Sequence, residues 1–130
     1  MTHLAYVDAS ALVKLVVPEA ESAGMLRWYV EAERLVTSRI GIVETIRAAT
    51  RHPHDPDHLR FVLGSVEVIE LGREVADRAA AVRPEYLRAL DAIHLATALE
   101  LGDGVGAFVT YDDRLAGAAR AAGFKVVRPA

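Results

Sequence analysis

Short apolar runs alternate with longer stretches of helical periodicity along this chain, and no other feature constrains its fold as strongly. The apolar runs predict strands at 4–7, 35–38, 66–70, 107–110 and 124–127. The stretches between them predict helices from Ala11 and over 20–34, 39–50, 57–63, 73–82, 84–101 and 113–122. Strands separated by helices form a parallel sheet covered on both faces, with right-handed crossovers. The predicted fold class is α/β, in a single domain over residues 1–130.

Composition removes several classes of function. The chain has 130 residues, 52% of them hydrophobic, which suffices for one domain with a buried core. It has no cysteine, which excludes a disulfide framework, a thiolate nucleophile and a cysteine-ligated zinc. Lys14 interrupts the apolar run near the start, so we expect neither a signal peptide nor a membrane span, and a cytoplasmic location.

Four acidic residues lie at or near junctions between predicted strands and helices: Asp8, Glu44, Asp91 and Asp112. Ligands of parallel sheets bind outside the carboxyl ends of the strands, so these carboxylates are candidates for one site. Asp91 and Glu44 also interrupt apolar helical stripes, where a carboxylate must be protonated, paired with arginine or bound to a cation. The one cation-binding solution that uses all four acids is a hard divalent ion, Mg²⁺ or Mn²⁺.

A purely structural role remains open for each acid. Asp8, or Ser10 beside it, would cap the first helix, since Asp and Ser are common N-caps. Asp112 or Asp113 would cap the last long helix in the same way. Ion pairs would occupy the other two acids. The candidate pairs are Asp91 with Arg88, and Glu44 with Arg47 or Arg51.

Four segments resemble, in order, the acidic motifs of the PIN-domain ribonucleases. They are YVDASAL at 6–12, SRIGIVE at 38–44, LDAIHLA at 90–96 and VTYDDRL at 109–115. Each motif alone is weak, but the four together span nearly the whole chain. The chain resembles in particular the stand-alone VapC toxins of bacterial and archaeal toxin–antitoxin pairs.

The resemblance implies a PIN-like three-layer α/β/α sandwich with a central parallel sheet, and hydrolysis of RNA phosphodiesters with Mg²⁺ or Mn²⁺. It makes Asp8, Glu44, Asp91 and Asp112 the catalytic and metal-binding acids, with Asp8 and Asp91 as the leading candidates for direct ligands. Asp112 would ligate a second ion or orient water, and Glu44 would act through water or as a base. One ion or two remains open.

Two hydroxyls and one choice of acid complete the implied site. Ser10 and Thr110 would support the acids or contact a phosphate. The Thr-x-Asp spacing favours Asp112 as the fourth acid, and Asp113 stays open as the alternative. His94, three residues after Asp91, is expected to pack or hydrogen-bond beside the site.

The resemblance also implies partners. These are an RNA substrate, a VapB-like antitoxin that places an arginine against the acidic cleft, a second copy of the chain, and a toxin–antitoxin hetero-oligomer. Trp28 lies off the main apolar stripe of its helix, and an exposed Trp there would suit an interface. Two alternatives stay open: a PIN-like RNA-binding or RNA-processing module without a toxin role, and a metal-dependent phosphatase. Ser10 argues against phosphotransferases of the haloacid-dehalogenase type, which need a second Asp there.

The net charge of −3 at first argues against an RNA substrate. If the four acids form one metal site, however, the remainder of the chain carries +1. Arginines near Glu44, namely Arg39, Arg47 and Arg51, are then candidates for phosphate contacts.

Overall fold

The computed structural model describes residues 4–130, and its centre is a parallel sheet of five strands. The strands are β1 (Leu4–Val7), β2 (Arg34–Ser38), β3 (Glu67–Ile69), β4 (Val105–Val109) and β5 (Val126–Val127). Their order across the sheet is β3-β2-β1-β4-β5, and every neighbouring pair is parallel. The strand that comes first in the chain is therefore the central one.

Seven α-helices connect these strands within residues 4–130. They are α1 (Ala9–Val16), α2 (Ser22–Glu31), α3 (Arg39–Thr50), α4 (Pro56–Gly64), α5 (Arg73–Ala81), α6 (Ala89–Leu101) and α7 (Asp113–Ala121). A short 3₁₀ turn at Gly102–Gly104 leads from α6 into β4. None of these helices is both long and apolar enough to cross a membrane.

Two apolar cores lie on the two faces of the sheet, because successive residues of β1 point to opposite sides. Ala5 and Val7 pack in the core that α1, α2, α3 and α4 cover. Leu4 and Tyr6 pack in the core formed with α6 and α7, to which α5 contributes Ala79. This arrangement confirms the predicted three-layer α/β/α sandwich.

Two predicted helices are shorter than their apolar patterns indicated. The helix expected over 20–34 spans Ser22–Glu31, and the chain is already extended at Ala32. The helix expected over 84–101 begins at Ala89, because Arg88 has extended backbone angles. Leu87 is buried as its pattern predicted, but from a turn before the helix. Asp91 therefore lies in the first turn of α6 and not in mid-helix.

Three neighbouring strands end at residues that cap the next helix. Asp8 follows β1, Ser38 ends β2 and Asp112 lies three residues after β4. Each side chain accepts a hydrogen bond from a backbone N–H in the first turn of α1, α3 or α7, respectively. Because β2, β1 and β4 are adjacent, these helix N-termini lie together at one edge of the sheet.

Candidate active site

Asp8 is the buried anchor of the acid cluster, with 3% of its surface exposed. Its Oδ1 accepts hydrogen bonds from the Ser10 hydroxyl at 2.7 Å and the Ala11 N–H at 3.1 Å. Its Oδ2 accepts one from the Thr110 hydroxyl at 2.6 Å. Burial raises the pKa of Asp8, while His94 and these donors act in the opposite direction. The polar partners thus offset part of the cost of burying this carboxylate.

Ser10 and Thr110 link the acids of β1 and β4. The Thr110 hydroxyl donates to Asp8 and accepts from the Asp112 N–H at 3.0 Å. The Ser10 hydroxyl donates to Asp8 and accepts from the Tyr111 N–H at 2.9 Å. Both hydroxyls therefore fix the positions of the acids relative to each other.

Asp112, and not Asp113, faces the other carboxylates. Asp112 caps α7 through the Leu115 N–H at 2.8 Å, and its charge is the strongest of those that raise the pKa of Asp91. The Asp113 side chain is 89% exposed and pairs with Arg128 at 2.7 Å. The geometry agrees with the choice that the Thr-x-Asp spacing indicated.

Asp91 is the half-buried acid of α6, and its carboxylate has no hydrogen bond or ion pair within residues 4–130. The predicted alternative of an ion pair with Arg88 is therefore wrong. Burial, followed by the negative charges of Asp112, Asp8 and Glu44, raises the pKa of Asp91 to about 6. Only His94 acts on Asp91 in the opposite direction among residues 4–130, and the balance still favours the protonated acid.

Glu44 is held by a buried chain of polar groups from the sheet. Its Oε1 lies 2.6 Å from Nε2 of His94, and Nδ1 of His94 lies 2.6 Å from the Tyr6 hydroxyl. Burial and the Asp8 charge raise the pKa of Tyr6, so its hydroxyl remains protonated. Tyr6, His94 and Glu44 thus form one hydrogen-bonded chain that runs from β1 through α6 to α3.

The contact with His94 decides between the alternatives for Glu44. The proposed pairing with Arg47 or Arg51 is wrong, whereas the expected hydrogen bond of His94 beside the site is confirmed. Sequence reasoning missed Tyr6 as the second partner. The available signal was its hydroxyl within the otherwise apolar run of β1.

Gly41 allows α3 to approach the sheet and α6 closely. A Cβ at this position would lie 2.3 Å from Oγ1 of Thr37 and 3.2 Å from Cε1 of His94. Real Cβ atoms do not approach a hydroxyl this closely, so only glycine permits the observed packing. Glu44, one turn further along α3, reaches His94 as a result.

The donor set has the chemistry of a site for a hard divalent cation. Glu44, Asp91 and Asp112 line one groove, and Asp8 acts on Asp91 electrostatically. The side chains as positioned within residues 4–130 form no group of three His, Asp or Glu arranged to hold an ion. The unpartnered Asp91 carboxylate, surrounded by like charges, nevertheless fits a divalent cation in charge and donor type.

Basic side chains border the acids on two sides. Lys14, Arg47 and Arg51 line a groove that includes Ser10 and Glu44. The groove at Asp91 and Asp112 is lined by two further arginines, Arg88 and Arg114. None of these four arginines forms an ion pair within residues 4–130. Arg39, the third predicted phosphate contact, is paired with Glu70 at 2.5 Å.

Trp28 differs from its prediction. It is half-buried and packs against the core beneath α1 to α4. The expectation of an exposed Trp is therefore wrong. Leu26 and Val30 of the same helix are the exposed apolar residues, at 49% and 69%.

Comparisons with known proteins agree with this geometry. The family model described as PIN domain matches residues 5–121. Ribonuclease VapC47 of Mycobacterium tuberculosis is 36% identical over 130 residues, covering 95% of this chain and 96% of that protein. Ribonuclease VapC46 of the same species is 38% identical over 125 residues, with the same coverage.

Solved structures share the fold. M. tuberculosis VapC20, described as a Sarcin-Ricin loop cleaving toxin, superposes with a TM-score of 0.74 at 19% identity, covering 97% of this chain and 99% of that one. A chain of a toxin–antitoxin complex from Klebsiella pneumoniae gives 0.73 at 25% identity, with 97% and 98% covered.

Proposed function

The chain belongs to the PIN-domain family, and on that premise we propose that it is a metal-dependent endoribonuclease, the toxin of a VapBC-like toxin–antitoxin module. The observation that carries this proposal is the Asp91 carboxylate, which has no partner within residues 4–130 and lies among three other acids. Grooves with unpaired arginines adjoin it on two sides. A divalent cation would neutralise the acids around Asp91, and the phosphates of an RNA chain would pair with the arginines of the grooves.

The acids take distinct roles in the proposed mechanism. Asp8 and Asp91 would hold Mg²⁺ or Mn²⁺, which would supply an activated water and stabilise charge on the phosphoryl oxygens. Asp112 would orient water or hold a second ion. Glu44, held through His94, acts on the attacking water or as a base. Ser10 and Thr110 hold Asp8 and Asp112 in fixed relative positions by their hydrogen bonds.

RNA is the proposed substrate because of the charge around the acids. Arg47 and Arg51 in one groove, and Arg88 and Arg114 in the other, are available to phosphates on either side of the cleavage point. The relatives VapC47 and VapC46 are named ribonucleases.

An antitoxin and a second copy of the chain are the proposed protein partners. The K. pneumoniae neighbour is described as a toxin–antitoxin complex. Exposed apolar residues on α2 and α3, namely Leu26, Val30, Val43 and Ile46, would be covered by such partners. An antitoxin arginine against the acids would occupy the position of the cation. We place the module in the cytoplasm.

Cleavage of RNA with Mg²⁺ tests the proposal. Asp91→Asn and Asp112→Asn should each lower the cleavage rate by roughly 100-fold or more, since several kcal/mol of charge stabilisation are lost. Asn also caps helices well, so Asp112→Asn should preserve α7. Asp77→Asn is the matched control and should keep wild-type activity, because Asp77 is exposed on α5 and lines none of these grooves.

Different outcomes separate the alternatives. RNA binding without cleavage by the wild-type protein would replace the nuclease with a binding module. Hydrolysis of p-nitrophenyl phosphate without RNA cleavage would favour a phosphatase. Equal activity of Asp91→Asn and wild type would remove Asp91 from the site.

A further inference from the structure

A third groove continues from the acid cluster and contains an exposed aromatic ring. Tyr86 lines this groove with 77% of its surface exposed. Asp113 and Arg114 line both this groove and the one at Asp91 and Asp112, so the two are continuous. The volume of about 620 Å³ lies within the usual range of ligand pockets.

The conformation of the segment between α5 and α6 causes the exposure of Tyr86. Leu87 is buried in the core below, and its N–H donates to the Pro84 carbonyl at 3.0 Å. These two contacts fix the turn on either side of Tyr86 and leave its ring outward. Within residues 4–130, neither the ring nor the hydroxyl has a partner.

The charge around this ring favours an anionic partner. Arg114 lies at the junction of the two grooves, and Arg88 lines the groove of Asp91. Neither arginine forms an ion pair with any residue of 4–130. Single-stranded RNA is bound by cationic side chains along its backbone and by aromatic rings on which bases stack. An exposed ring next to unpaired arginines and an acid cluster has both components.

We infer that Tyr86 is a stacking platform for one base of the RNA strand, next to the phosphate at the acid cluster, with Arg114 on the intervening backbone. This inference rests on the proposed function and adds a base-binding subsite to it. Every base can stack on an aromatic ring, and purines offer the larger surface. The subsite therefore contributes affinity and positions the strand, and it contributes little to sequence recognition.

RNA binding by a cleavage-deficient protein tests the subsite. In the Asp91→Asn background, affinity is measured by fluorescence anisotropy for a labelled 12-nucleotide oligoadenylate and for an abasic ribose–phosphate chain of equal length. Tyr86→Ala should weaken oligoadenylate binding at least about fivefold, the low end of one lost base–aromatic stack. Tyr86→Trp should retain or strengthen it. Neither change should affect the abasic chain.

Two controls separate stacking from other effects. Phe61→Ala removes an exposed ring of α4 that lines neither groove, and it should leave affinity unchanged. Arg114→Gln should reduce the slope of log affinity against log salt by about 0.7, as loss of one phosphate contact does, whereas Tyr86→Ala should leave the slope unchanged.

Several results would overturn the inference. Stacking would be excluded if Tyr86→Ala bound oligoadenylate as tightly as the parent Asp91→Asn protein does. It would also be excluded if Tyr86→Ala lost as much affinity for the abasic chain as for oligoadenylate. A change in oligomeric state or in antitoxin binding with unaltered RNA affinity would assign the ring to a protein interface. If the Asp91→Asn protein bound no RNA while wild type also cleaved none, the proposed function would fall together with the subsite.

Discussion

Asp8 and Asp112 are at once helix caps and members of the acid cluster, two roles that sequence reasoning had set against each other. A carboxylate offers about four lone-pair directions. Asp8 uses three of them, for Ser10, Ala11 and Thr110. Capping therefore orients these acids without exhausting their capacity to bind a cation. The sequence was enough to predict which acids belong to the cluster. It could not predict which lone pairs accept hydrogen bonds and which remain for a cation, because that depends on atomic positions.

Asp91 should make the metal-free protein less stable at neutral pH. Its pKa rises from 3.8 to about 6 on folding, so between these values the folded state binds more protons than the unfolded state. Stability consequently falls as pH rises through this range, and the full cost is present above it. Asp91→Asn should stabilise the protein in EDTA at pH 7.5, by less than about 1 kcal/mol because the side chain is partly screened by water.

Urea unfolding at two pH values measures this effect. The difference between Asp91→Asn and wild type should be nearly absent at about pH 3, where Asp91 is mostly protonated in both the folded and the unfolded state. Asp113→Asn should show no such gain, because Asp113 is exposed and paired with Arg128. A variant that is less stable than wild type at pH 7.5 would contradict the prediction.

The hydroxyl of Tyr6 should contribute measurably to stability. Tyr6→Phe leaves Nδ1 of His94 without its partner in a buried setting, which costs about 1–3 kcal/mol. Tyr29→Phe is the matched control: Tyr29 bonds Ser65 at 2.5 Å, but in an exposed contact, so its loss should cost much less. Urea unfolding midpoints of the two variants provide the comparison. Equal losses of stability would mean that the buried bond to His94 contributes no more than the exposed bond of Tyr29.

At the scale of elements, helix boundaries were the part of the fold that the apolar pattern predicted least well. Leu87 fits the stripe of α6 and is buried, yet it reaches the core from a turn. A side chain can occupy the position that a helix would give it without helical backbone, so periodicity alone extends the helix too far. The link between Glu44 and His94 was also only partly predictable, because it depends on how closely α3 and α6 pack.

Gly41 provides a test of that packing. Gly41→Ala should destabilise the protein by about 1–3 kcal/mol, because the added methyl group meets Thr37 and His94. Gly117→Ala in α7 is the control: a Cβ there has no neighbour within 4 Å, so the better helix propensity of Ala should stabilise by about 0.5–1 kcal/mol. Thermal unfolding compares the two, and two stabilised variants would contradict the close approach of α3.

At the scale of the whole molecule, alternation of strands and helices was enough to predict the layers and the edge where the acids gather. The net charge of −3 was misleading on its own, because its sign comes from a cluster at that edge. Without the four acids the chain carries +1. The surface that RNA would meet is thus divided between a negative centre and positive borders.

This division predicts an inverse effect of neutralising the acids. In EDTA, the double variant Asp91→Asn, Asp112→Asn should bind a 12-nucleotide RNA roughly threefold to tenfold more tightly than wild type, since two repulsive charges are removed. The gain should shrink at high salt, which screens the repulsion. Replacing Asp77 and Asp103, both exposed and outside the grooves at the acid cluster, by Asn changes the net charge equally and should have a smaller effect. Equal gains for the two double variants would mean that only net charge matters.

The central position of β1 has a consequence for the synthesis of this protein. Asp8 is translated long before its partner, because the hydroxyl that donates to its Oδ2 belongs to Thr110, 102 residues later. β1 likewise has one neighbour, β4, that begins only at Val105. A nascent chain emerging from the ribosome therefore lacks an assembled acid cluster until Thr110 and Asp112 have also been made. The order of translation thus separates the synthesis of the buried acid from the assembly of the site.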